Sequence, residues 1–115
     1  MRTSAAAAVH QSQASPVTAL ARFFPAATPV RLPVLLTRLD GKASDAEDTV
    51  IEFGTSREVL FACALPLQFA DTVRLQNADG SLDVEATVVA AQYHPGCTAV
   101  AARFIRDVSN WILKP

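Results

Sequence analysis

The residues able to do chemistry are few in this chain, and their spacing serves chemistry poorly. Cys63, Cys97, His10 and His94 are its whole stock of cysteine and histidine. Two thiolates cannot close a zinc site alone, and His10 lies in an N-terminal leader far from the others. Cys63 falls inside an apolar run and reads as a small core residue. His94 precedes Pro95 in a predicted turn, where a histidine is ordinarily solvated. Ser56 sits in another turn, with no histidine or lysine spaced to serve as its base. A phosphate-cradling glycine loop and a nucleophile elbow are both missing. The chain is therefore expected to carry no catalytic site, no metal and no cofactor.

The arginines are the more suggestive group. Arg2, Arg22, Arg31 and Arg38 all precede the first carboxylate, Asp40. From there on, eleven carboxylates stand against six Lys and Arg. A basic leader on an acidic domain can touch something anionic, although Arg31 and Arg38 can equally keep a strand edge soluble. The overall formal charge of −1 argues against a DNA- or RNA-binding protein.

Positioning such residues falls to short β-strands. The chain has 115 residues, enough for one core and not two. Residues 1 to about 28 read as a leader, expected to be disordered. Ala19 to Phe24 is its one stretch with helical potential, and Pro25 stops it. The domain proper, 29–115, alternates apolar runs with turn residues. Strands are predicted over Val30–Leu39, Thr49–Phe53, Val59–Cys63, Thr72–Gln76, Leu82–Tyr93 and Thr98–Ile105. Asn77–Ala78–Asp79–Gly80 and His94–Pro95–Gly96 are turns, and Asp40 to Asp48 is a polar loop. Val34, Leu36, Val50, Phe61, Val73, Leu75, Val84, Val88, Val100 and Phe104 share the apolar phase and form the expected core. Asp107 to Lys114 reads as a short helix that lays Trp111 and Ile112 over one end. The fold class that follows is mainly β: a small six-stranded antiparallel barrel with a short C-terminal helix, closed or nearly closed because closure removes exposed edges.

No apolar run is long enough to span a membrane, so no membrane insertion is expected. The leader lacks the apolar centre of a secretory signal, so the expected location is cytoplasmic, with reduced thiols. Its Ala-rich, acid-free composition resembles an organellar presequence, but a GC-rich bacterial gene encodes the same and is the preferred reading.

The segment TVIEFGTSREVLFACALPLQFADTVRL, from Thr49 to Leu75, resembles the centre of a PilZ domain. The likeness continues in LDVEATVVAAQYHPGCTAVAARFI, from Leu82 to Ile105. It is carried by Leu60–Phe61, Pro66, Val73–Leu75, Val88–Val89 and Val100 to Phe104, and it covers roughly residues 30 to 112. The resemblance implies a small barrel that binds cyclic di-GMP. Its ligand motifs would be R-x-x-x-R before the first strand and [D/N]-x-S-x-x-G between the second and third. Guanidinium forks suit the ligand's phosphates and guanines, and the glycine lets the backbone come close.

Aligned on Ser56, this sequence keeps the serine alone. Gly54 replaces the acid or amide, Val59 replaces the glycine, and neither Arg22 nor Arg31 opens an R-x-x-x-R. Losing one bidentate arginine and one amide or carboxylate partner would each cost about 1.5–3 kcal/mol. The expectation is therefore a degenerate PilZ-like module that binds a protein partner and not the nucleotide. The alternative is a cyclic di-GMP sensor with a non-standard set built from Arg22, Arg31, Gly54, Ser56 and Arg57. A third reading is a small barrel of unrelated descent.

Overall fold

In the computed structural model, which describes residues 15–39, 45–108 and Trp111, six strands carry more than half of the described residues. They are β1 (Thr28–Arg38), β2 (Ala46–Gly54), β3 (Glu58–Cys63), β4 (Thr72–Gln76), β5 (Asp83–His94) and β6 (Cys97–Phe104). All pairings are antiparallel and close a barrel in the order β1-β2-β3-β6-β5-β4. The six-stranded barrel read from the alternation is thus present, with strand ends displaced by a few residues. The largest displacement is at β2, which starts at Ala46 inside the expected loop. Pairing of Leu35, Leu36 and Thr37 with Asp48, Glu47 and Ala46 extends it there.

The barrel interior is filled by alternate residues. Leu36, Phe61, Val73, Leu75, Val88 and Val100 are fully buried in one cluster, with Val34 and Phe104 almost so. Val84 is only partly buried against that cluster. Val50 is a correction, because Ile51 occupies the core in its place. The reason is register. Val34 stands opposite Thr49 and Leu36 opposite Glu47, so the inward phase of β2 runs through odd-numbered residues. Polar residues occupy that phase near the strand's start and mask it in the sequence. A bulge between Ile51 and Phe53 then reverses the phase: Gly54 opposite Val59 turns inward, and Phe53 opposite Leu60 turns outward.

A second cluster lies on the outside of β3 and β6, where Leu60, Ala99 and Ala101 are buried beneath a helix, α1 (Pro16–Ala21). This corrects the expectation of a disordered leader over residues 15–28; residues 1–14 lie outside the described residues. Ser15 is the N-cap, its Oγ accepting from the Val17 amide at 3.2 Å, and Pro16 takes the first turn, where its missing N–H is harmless. The same hydroxyl donates to Glu52 Oε1 at 2.9 Å and ties the helix to β2. Val17 and Leu20 face the barrel and are buried. A six-residue helix has no stability of its own, so this apolar contact holds it. Alanines at 99 and 101 let the helix come close. Phe24 packs at the edge of the cluster, whereas Phe23 points outward, 70% exposed.

The C-terminal helix expected over 107–114 is not found at Asp107, Val108 or Trp111, none of which is helical. Its other positions, Ile112 among them, lie outside the described residues. Among the described residues, no helix is long and apolar enough to cross a membrane.

Candidate functional site

The β2–β3 turn, where the motif resemblance places its ligand contacts, is bonded tightly to itself. The Thr55 hydroxyl accepts from the amides of Arg57 at 2.9 Å and Glu58 at 2.8 Å, and donates to Glu58 Oε1 at 2.8 Å. The Thr55 amide donates to the Glu58 carbonyl at 2.9 Å. Glu58 Oε2 then accepts from Nε and Nη2 of Arg103, at 3.2 and 2.9 Å, across the β3–β6 pair. The amide of Phe104 donates to the Arg57 carbonyl at 2.9 Å and anchors the turn to the end of β6. A threonine at the turn's first corner and a glutamate three residues on thus satisfy the turn's backbone amides, while the Ser56 and Arg57 side chains make no hydrogen bond among the described residues.

Trp111 closes this end of the barrel. Its indole Nε1–H donates to the Thr55 carbonyl at 2.8 Å. Its ring meets Phe104 edge-on, with centroids 5.5 Å apart and planes at 88°. Gly54 matters here through what it lacks: a Cβ at that position would overlap indole Cη2 and Cζ2. The sequence expectation that Trp111 packs on the barrel holds, although no helix at that residue delivers it.

Of the residues predicted for a nucleotide site, Ser56 and Arg57 lie in the β2–β3 turn and Gly54 ends β2 just before it. Ser56 and Arg57 are exposed, and Gly54 is buried under the indole. Arg22 is the exposed C-cap of α1, and Arg31 is exposed beside the β1–β2 irregularity between Pro29 and Leu32. Among the described residues, no hydrogen bond or ion pair joins either arginine to Ser56 or Arg57. Sequence reasoning missed Thr55, Glu58 and Arg103. Glu58 lay outside the expected strand Val59–Cys63, and only the register Glu58↔Arg103 makes it a neighbour of Arg103.

The opposite end of the barrel holds Cys63. Glu47 accepts from the amides of Ala64 and Leu65 there, at 2.8 and 3.0 Å, and so occupies the chain's own anion-binding backbone. Burial, with the Glu47 charge adding to it, pushes the Cys63 thiol up to about 12. Both cysteines are free thiols. Cys63 pairs across the ladder with Thr98 and joins the inner cluster, so Cys97, one residue away, points to the other face. Cys63 is therefore a protonated core side chain and not a nucleophile.

These features define a class of small closed β-barrel, strapped outside by one helix and plugged at one end by its own tryptophan. No family model matches the chain, and no curated protein matches it either.

Proposed function

We propose that this chain is a PilZ-like adaptor, a non-catalytic bacterial module of the cytoplasm that binds a protein partner and not cyclic di-GMP. The observation that carries the reading is the pairing of Gly54 with Trp111. At the position where the nucleotide motif calls for an aspartate or asparagine, the chain needs a residue with no side chain, because the indole fills that space. The Thr55 hydroxyl and the Glu58 carboxylate bond to one another, and Glu58 also to Arg103. Exposed Phe23, Phe69 and Tyr93 add apolar surface of the kind protein interfaces use.

A second reading, a cyclic di-GMP sensor, draws on Arg22, Arg31 and Arg57, which form no ion pair among the described residues. Calorimetry with the purified protein and cyclic di-GMP separates the two. A flat trace at micromolar ligand is expected. A saturable isotherm with Kd near a micromolar would replace the adaptor reading with the sensor.

A further inference from the structure

Strand β5 outruns the strand beside it. Its pairing with β4 reaches Asp83, opposite Gln76, whereas its pairing with β6 begins at Ala86, opposite Phe104. One more bond, from the Ile105 amide to the Glu85 carbonyl at 3.0 Å, continues that side before the chain bends away. Alternate residues of an antiparallel ladder turn their backbone groups to the same neighbour. Asp83 therefore directs its amide and carbonyl to the side that β6 has left. A cavity of about 690 Å³ opens there, between the start of β5 and the segment 106–108. That volume suits a small ligand or a few residues of peptide.

The chemistry of the walls selects between these. Val84, Val108 and Trp111 supply the apolar part. Arg74 and Asp83, also on the wall, neutralise each other through two N–H···O bonds of 2.8 Å. Glu85, Asp107 and Arg106 complete the lining and form no ion pair among the described residues. Two carboxylates thus outweigh one guanidinium, beside the strand edge at Asp83, which no strand pairs on that side among the described residues. An extended peptide with alternating aliphatic and cationic side chains meets all three features. Its backbone continues the ladder at Asp83, its aliphatic groups cover the valines and the indole, and its cations reach Glu85 and Asp107. We propose that this cleft receives a basic, extended segment of a protein partner; the inference rests on the adaptor reading and gives it a docking site.

Trp111 is the only tryptophan and reports on the cleft directly. The full chain is titrated with three blocked pentapeptides of pattern V-x-V-x-V, in which x is arginine, glutamine or glutamate. Trp111 fluorescence and the amide shifts of residues 83–85 and 106–108 are followed together. The arginine peptide is expected to saturate and to bind about tenfold or more tighter than the glutamate peptide. The double variant Glu85→Gln with Asp107→Asn, on exposed positions, should keep its circular dichroism and lose that preference. Equal binding of all three peptides, or unmoved amides at millimolar arginine peptide, would overturn the site. Such a failure beside a flat cyclic di-GMP trace removes the cleft and leaves the adaptor reading in place. A saturable cyclic di-GMP isotherm removes the adaptor reading, and the docking proposal with it.

Discussion

The indole of Trp111 occupies the space in which a side chain at Gly54 would begin, and its Nε1–H holds the carbonyl of the next residue, Thr55, at 2.8 Å. The two residues are 57 positions apart, yet a side chain at Gly54 finds room only if the indole shifts or is removed. A glycine here is a packing requirement and not a turn requirement, since no positive φ is needed at this residue.

That coupling is measurable. Gly54→Ala should destabilise by about 1–3 kcal/mol, the usual cost of overpacking. Trp111→Ala should cost about 3–5 kcal/mol, the range for removing a packed aromatic side chain. With the indole gone, the alanine methyl at 54 has room, so the double variant should cost clearly less than the two single changes together. Urea unfolding of the four proteins measures this. Strict additivity would show that the contact does not govern stability.

The helix α1 leads to a second expectation. Leu20→Ala should destabilise by about 2–5 kcal/mol, as for other buried leucines. Removing residues 1–24 should uncover Leu60, Ala99 and Ala101 and lower the unfolding midpoint. Dye binding to the newly exposed apolar face should accompany the loss. A truncated chain with unaltered stability would mean that α1 contributes no net packing energy.

The barrel was legible in the sequence because period-two alternation reports an inside and an outside, as in Ala86 and Val88 of β5. The strap over it was not. Val17 and Leu20 are only two apolar positions in a short Ala-rich stretch, below what helical periodicity can reveal. The continuous apolar runs of β3 and β6 were the available signal: Leu60 and Ala101 lie on the outer face, and a strand apolar on both faces calls for a cover. For Val50, polar residues at Glu47 and Thr49 carried the inward phase, and the bulge beyond Ile51 reversed it. The site was harder to read for a related reason. Ser56 was named from a motif and Arg57 only as part of a non-standard arginine set, but Glu58 and Arg103 meet only through the register between β3 and β6.

Acid should act on the β4–β5 hairpin. Hydrogen bonding to the Arg74 guanidinium holds the Asp83 carboxyl below its ordinary range. A carboxylate lowered in the folded state contributes stability at pH values above its unfolded pKa, near 4, and loses it as pH falls through the folded value. Arg74→Gln should return the Asp83 titration, followed by carbon-detected NMR, to the ordinary aspartate range. The pair lies at the surface in reach of solvent, so the global unfolding midpoint at neutral pH should move little. An Asp83 titration unchanged by the substitution would show that the pair does not persist in solution.

Alkali should act on the other end of the barrel, through Cys63. Its thiol is raised from 9.0 to about 12, first by burial and then by the Glu47 carboxylate. Between those two values the unfolded chain has released its proton while the folded chain still holds it. Stability from this group is therefore complete below pH 9 and falls as pH rises toward 12. Cys63→Ala removes the titrating group, so the variant's stability should decline less steeply across that window, although its value at pH 7 is lower for the lost packing. The same environment predicts selective alkylation. Only the thiolate reacts, so at pH 8 iodoacetamide should modify partly exposed Cys97 first and Cys63 only on unfolding. Peptide mapping after a timed reaction distinguishes the two thiols. Equal labelling in the native protein, or parallel alkaline stability curves for Cys63→Ala and the unmodified sequence, would show that Cys63 is not held protonated by the core.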